Sequence, residues 1–292
     1  MMDQADKLRE LAKVHRPAAA VLNNKRTIAV ASGKGGVGKT NFSVNISIAL
    51  NQLGQKVILL DADLGMANID VLCGLSPKYN LGHVINNKKS FGEIVIECCG
   101  GINVIPGVSG VEELTSLNLE QQQIFFEQLE IFDKVDMSKI LVIDIGAGMA
   151  PTVINFLLAS NESIIITTPE PTAMMDAYAI IKTIVGKKPD ADISIIVNMV
   201  KSKEEAVQVF HSMSMITQQF LNHQLQYLGH ILSDPVVSKC VKQQSPFLLS
   251  YPHSQASKCV REIALRLLNR KDTVHRGGIK NLFERLGSFF GG

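Results

Sequence analysis

No stretch of this chain reaches the roughly 18 uninterrupted apolar residues that a membrane-crossing helix needs, which excludes a spanning protein. Neither sign of charge dominates: 29 Lys and Arg stand against 27 Asp and Glu, too even a balance for a chain that works by coating nucleic acid. No specific nucleic acid is therefore expected as a partner, and any charge-driven partner must be met by a local patch. The opening residues Met1-Met2-Asp3-Gln4-Ala5-Asp6 are charged within a few positions and lack an apolar core, so they are no secretory signal and the chain is expected to stay in the cytoplasm. The cysteines are Cys73, Cys98, Cys99, Cys240 and Cys259, an odd set without a CxxC. They suit neither a zinc site nor a disulfide framework, and ordinary reduced thiols are expected. Internal repeats and low-complexity tracts are also missing.

What is present is the composition of an α/β chain: 292 residues, 46% hydrophobic, with 22 glycines, enough for one unit of roughly 200 to 250 residues with short appendages. Thr27–Ser32 is an apolar, β-branched run that meets a glycine cluster and then the helical pattern Ile46, Ala49, Leu50, Leu53. Further apolar runs at Val57–Leu60, Ile140–Ile143, Ile164–Thr168, Ile193–Val197 and Leu228–Leu232 are separated by segments long enough for crossover helices. Runs that do not alternate imply strands buried on both faces, hence a doubly wound, mostly parallel sheet flanked by helices. The residues between Glu120 and Asp133, with Ile124, Phe125, Leu129 and Phe132, read as an amphipathic helix packed outside the sheet. The expected organisation is an arm at 1–26, the α/β domain at 27–268, a polar, basic, Gly-ended linker at 269–278 and a short helix at 279–292.

Gly33-Lys34-Gly35-Gly36-Val37-Gly38-Lys39-Thr40 satisfies G-x-x-x-x-G-K-[ST] in full, between a predicted strand and a predicted helix, which is the context that gives the pattern meaning. Glycines let backbone N–H groups converge on phosphates, and the helix start at Gly38–Asn41 adds a positive dipole. Lys39 is expected on the β- and γ-oxygens, with the Thr40 hydroxyl on Mg²⁺. Residues 33–41 thus form an expected ATP cradle. Ile140–Ile143 ends in Asp144, as a Walker B strand requires, and Asp144 is expected to hold Mg²⁺. Asp61 and Asp63 end the second strand, where a carboxylate beside the γ-phosphate can orient the attacking water. Thr40, Asp63 and Asp144 are the expected Mg²⁺ set.

The extra lysine, Lys34, follows the first glycine and points out of the cradle. With Gly35-Gly36-Val37-Gly38-Lys39-Thr40 it resembles the deviant Walker A loop of the MinD/ParA family of P-loop ATPases, and the resemblance spans most of 27–268. It implies an ATP-dependent homodimer in which Lys34 crosses to the partner's nucleotide. It also implies a switch I segment at Asp61–Asp70 with Asp63 positioning water, and a switch II at Gly146–Met149, where Ile145 replaces the family's more usual Thr. Asn198 matches the residue that bonds the adenine ring, and Pro235 the loop that packs on the base.

The two ends add partners. Ile279, Leu282, Phe283, Leu286, Phe289 and Phe290 fall on one helical face, with Arg270, Lys271, His275 and Arg276 upstream, the make-up of an interfacial anchor for an anionic membrane surface. Docking of this helix on its own core is the competing expectation, and the two can alternate with nucleotide state. Asp3-Gln4-Ala5-Asp6-Lys7-Leu8-Arg9 matches the DQAxxLR motif of the flagellar FlhG branch of the family, also written FleN or YlxH. In that branch the motif docks on the signal-recognition-particle-type GTPase FlhF and stimulates it. By resemblance Asp3, Gln4, Ala5, Leu8 and Arg9 form the contact, with Gln4 leading, and flagellar basal-body or regulatory proteins are further partners. A division-site regulator of MinD type and a ParA-type DNA-partitioning ATPase are the alternatives, disfavoured respectively by this arm and by the near-neutral charge.

Overall fold

The computed structural model describes residues 25–63, 68–107, 124, 127–133, 136, 138–270 and 279–290. The arm residues Asp3, Gln4, Ala5, Leu8 and Arg9, residues 64–67 at the centre of the expected switch I, Phe125 and the glycines at 277 and 278 lie outside them. Eight strands form one sheet: β1 (Arg26–Ser32), β2 (Val57–Ala62), β3 (Ile96–Glu97), β4 (Asn103–Ile105), β5 (Ile140–Ala147), β6 (Glu162–Thr167), β7 (Ile193–Val200) and β8 (Gln226–Leu232). Their order across the sheet is β3-β4-β2-β5-β1-β6-β7-β8, with every pairing parallel except β3 against β4. The doubly wound, mostly parallel sheet expected from the sequence is therefore present. The short edge pair β3 and β4 was not legible, because segments of two and three residues carry no periodic signal.

Continuous apolar strands resolve into two interleaved sets, since neighbouring side chains on a strand point to opposite faces. Ala29, Ala31, Leu141, Ile143, Ile195 and Val197 enter one core layer, while Ile28, Val30, Ile140, Val142, Ile164 and Ile196 enter the other. Helix α1 (Lys39–Gln52) belongs to the second layer, over which α10 (Gln255–Asn269) also packs. Between them in sequence come α2 (Asn68–Cys73), α3 (Leu81–Ile85), α4 (Phe91–Ile94), α5 (Pro151–Ala159), α6 (Pro171–Lys187), α7 (Lys203–Leu221), α8 (Pro235–Lys242) and α9 (Phe247–Ser250). Helices α5, α6 and α7 cover the first face. Proline at the first helical position starts α5, α6 and α8, where its missing N–H costs no intrahelical bond. Ser202, Asp234 and Ser254 cap α7, α8 and α10 by accepting from Glu205, Val236 and Ser257 N–H groups. Of the helix read between Glu120 and Asp133, residues 127–133 are helical, with Leu129 and Phe132 buried in the first layer.

The last helix, α11 (Ile279–Phe290), is seen in the docked arrangement, one of the two expected for it. Leu282, Phe283 and Leu286, read as a lipid-facing stripe, are buried within the first core layer, and the helix packs against α5. Arg285 Nη1 reaches past the apolar face to donate to the Ala159 carbonyl at the end of α5, at 3.2 Å. Sequence periodicity specifies that a face is apolar and leaves open which apolar partner covers it. The side chains of Ile279, Phe289 and Phe290 lie outside the described residues. Arg270, assigned to the basic flank of the anchor, is also engaged: it pairs with Glu162 at 3.3 Å and Asp192 at 2.8 Å at the amino ends of β6 and β7.

Candidate active site

The site lies at the carboxyl ends of β1, β2 and β5, the central strands of the sheet. Strand β1 runs into the loop 33–38, and α1 begins at Lys39 with Gly38 at φ 88°, a left-handed conformation that glycine adopts without a Cβ clash. A Cβ on Gly38 would also lie 2.4 Å from Asn198 Nδ2, and one on Gly33 would lie 2.3 Å from the backbone of Asp176 in α6. Both glycines are thus set by close approach of neighbouring elements. Gly35 and Gly36 have open space around them instead, and there a ligand's phosphates have room to approach the backbone.

Lys39 is buried, with Nζ 3.1 Å from Asp144 Oδ1, 3.7 Å from Asp63 Oδ2 and 3.5 Å from Thr40 Oγ1. The four residues expected to act together on phosphate, metal and water therefore converge. Asp144 is wholly buried in the carboxyl-terminal half of β5: its Oδ1 accepts from Lys39 and, at 2.8 Å, from Ser43 Oγ one turn further along α1. Its Oδ2 is buried without a hydrogen-bond partner among the described residues, and Thr40 interacts with the same carboxyl. Burial pushes the Asp144 carboxyl up, opposed by Lys39 and Ser43. Asp61, side by side with Asp144 in the β2–β5 register, is pushed up to about 7, first by burial and then by the Asp144 charge. Three carboxylates around one lysine, with one buried oxygen unmatched, form a site short of positive charge, and a divalent cation fits it.

Asp63 accepts from Asn68 Nδ2 at 3.3 Å, and its own N–H donates to Asp61 Oδ1 at 3.1 Å. Together with Gly146, Thr152, Val153 and Phe156 it lines a cavity of about 130 Å³ between β2, β5 and the start of α5. Lys34 leaves the cradle: its Nζ is exposed and pairs with Glu170 at 2.7 Å and Thr172 Oγ1 at 3.2 Å at the start of α6. Asn198 is buried behind the loop, where Nδ2 donates to the Val37 carbonyl at 2.7 Å and Oδ1 accepts from Met199 N. One amide proton thus braces the phosphate loop, while the amide oxygen is taken up by the chain after Asn198 itself. Pro235 sits exposed at the start of α8, beyond β8. Sequence reasoning missed Ser43 and the Glu170–Thr172 pair. The spacing of Ser43, four residues after Lys39, was a usable signal, whereas Glu170 is brought near only by the β1–β6 pairing.

Residues 28–247 match the model of the CobQ/CobB/MinD/ParA nucleotide-binding domain. The chain belongs to this family. It is 37% identical to the antiactivator FleN of Pseudomonas aeruginosa over 83% of this chain and 86% of that protein. It is 32% identical to the flagellum site-determining protein YlxH of Helicobacter pylori over the full length of both. Among solved structures, the septum site-determining protein MinD of Pyrococcus horikoshii, complexed with Mg-ADP, superposes with a TM-score of 0.64 at 24% identity, covering 83% of this chain and 96% of that one, a likeness of fold. Family membership and the complete phosphate loop make the chain a P-loop ATPase of the MinD/ParA kind, in the branch that holds FleN and YlxH.

Proposed function

We propose that this chain is an ATP-driven dimerising switch for flagellar number and placement, which works at the cytoplasmic face of the inner membrane and stimulates the FlhF GTPase through residues 1–26. The observation that carries the reading is the division of labour between two lysines: Lys39 is buried among the carboxylates, and Lys34 is exposed outside the loop, paired only with the exposed Glu170 and Thr172. The FleN and YlxH relatives support the flagellar setting, and the DQAxxLR motif supports the FlhF partner.

In this reading Lys39 moves from Asp144 and Asp63 onto the β- and γ-phosphates of ATP, while the amides of 35–40 hold the remaining oxygens. Thr40, Asp144 and Asp63 would hold Mg²⁺, which supplies charge neutralisation on the phosphates when bound. Asp63 orients the attacking water at the cavity it lines, and Gly146, whose Cβ would lie 3.2 Å from Asp63 Oδ1, keeps that approach open. Lys34 exchanges Glu170 for the nucleotide of the partner subunit. The tail completes the switch: α5 lines the Asp63 cavity with Thr152 and Phe156 and takes Arg285 at its far end, so one rigid helix links the phosphate site to the docked anchor. Release of α11 would free Leu282, Phe283 and Leu286 for anionic lipid, and two tails in a dimer add avidity.

Light scattering with and without ATP tests the chemistry. Lys34→Ala is expected to stay monomeric, and Asp63→Ala to remain a dimer with hydrolysis lost. A monomeric Asp63→Ala protein at saturating ATP would overturn the assignment. FlhF GTP hydrolysis with a peptide of residues 1–26, beside the same peptide with Gln4→Ala, tests the partner; an inert intact peptide would remove FlhF from the reading.

A further inference from the structure

Outside the nucleotide site, the described residues hold one cluster of metal-binding side chains, and the chain assembles it from distant segments. Cys73 ends α2, the helix that begins within the expected switch I segment, while Cys98 and Cys99 lie in the turn between β3 and β4. The three Sγ atoms lie within 4.8 Å of one another, and those of Cys98 and Cys99 are 3.5 Å apart. The absence of a CxxC made these cysteines read as isolated thiols; the fold removes the 25-residue separation between Cys73 and Cys98 that hid the group from spacing rules.

We propose that Cys73, Cys98 and Cys99 form a three-thiolate site for one thiophilic d¹⁰ cation, Cu(I) or Zn(II). Sulfur donors alone select soft or borderline ions over Mg²⁺ or Ca²⁺. Metal–sulfur bonds of about 2.3 Å place thiolate sulfurs about 3.8 Å apart, so the present spacing closes on an ion through shifts of about 1 Å or less. Cys98 is buried, whereas Cys73 and Cys99 are half-buried, which gives an ion a way in.

Two of the ligands are held in place before any ion arrives. Gly100 and Gly101 both have φ 73°, which makes the turn after Cys99, and a Cβ on Gly100 would lie 2.8 Å from Ile48 of α1. Asn51 of α1 donates to the Gly100 carbonyl at 2.9 Å. The pair Cys98-Cys99 is thus fixed to the helix that carries the phosphate loop, and Cys73 supplies the ligand from the switch side. Binding is ligand exchange without electron transfer: each metal–sulfur bond replaces one S–H bond or binds one existing thiolate, and up to three protons leave to solvent. A bound ion ties α2 to α1, and α2 touches the active site where Ile69 N–H donates to Asp61 Oδ2 at 3.4 Å.

The test uses the full chain, reduced and oxygen-free, titrated with Zn(II) against 4-(2-pyridylazo)resorcinol and with Cu(I) against bicinchoninate. One ion per chain is expected with at least one of the two metals, the retaining metal naming the ion, together with slower hydrogen exchange over 68–73. Cys73→Ser and Cys99→Ser should each weaken binding by about tenfold or more, while Cys240→Ser leaves it unchanged. Cys73 is half-buried, so its variant retains the fold where a Cys98 variant risks losing it, and a thermal melt checks this. Failure of both cations to compete with the chelators at one equivalent would overturn the site, as would equal affinity in Cys73→Ser.

Discussion

Asp144 shows how a single buried group ties stability to function. Its Oδ1 accepts from Lys39 and Ser43, while its Oδ2 is buried without a hydrogen-bond partner among the described residues. Ser43→Ala removes one charge-assisted hydrogen bond, and urea unfolding of the nucleotide-free protein should show a loss of about 1.5 to 3 kcal/mol. Asp61 extends the argument to pH. Its native carboxyl is raised from 3.8 to about 7, so over that interval the folded chain holds a proton that the unfolded chain has released. The stability this provides is complete below 3.8 and is lost as pH rises through about 7. The melting temperature of chelator-treated protein should therefore fall across that interval, and Asp61→Asn should flatten the fall. Mg-ADP should flatten it as well, because a nearby cation returns Asp61 to its charged form. Gly38→Ala combines a φ of 88° with a 2.4 Å contact to Asn198, and fluorescent-nucleotide titration should report affinity weaker by about tenfold or more.

Helices at the site act as levers because both of their ends are engaged. Helix α1 carries Lys39 and Thr40 at one end and grips the Gly100 carbonyl through Asn51 at the other. Helix α5 joins the Asp63 cavity to the docked tail. Leu282, Phe283 and Leu286 are each at most 3% exposed, and burying such side chains contributes about 1.5 to 3 kcal/mol apiece before the cost of ordering the helix. Leu286→Ala should weaken docking by about 2 to 5 kcal/mol, read as faster hydrogen exchange confined to α11 with α10 unchanged. Equal exchange in both proteins would mean that α11 does not rest on α5 in solution.

The whole molecule joins two demands on one apolar face. In the docked arrangement Leu282, Phe283 and Leu286 are buried on the core, while under the proposed switch an undocked α11 would uncover α5 and offer that stripe to lipid. Vesicles containing anionic lipid should therefore retain the protein with ATP far more than with ADP, and removal of residues 277–292 should abolish retention in both. Unchanged retention after that deletion would assign lipid contact to another surface.

The strand-loop-helix at 27–53, the placement of Asp144 on a central strand and the parallel sheet were all legible from the amino-acid order. Each depends on neighbours in sequence: a run buried on both faces, a glycine pattern before a helix, a carboxylate directly after an apolar run. Pairings between distant segments were not legible in this way. Glu170 meets Lys34 because β6 lies beside β1, Arg270 is drawn to Glu162 and Asp192, and Cys73 meets Cys98 and Cys99 across 25 residues. The tail marks the boundary between the two kinds of information. Its periodicity established an apolar face, whereas the protein covering for that face exists only once α5 has folded onto the sheet, since hydrophobic burial has no direction of its own and takes whichever apolar surface the fold brings near.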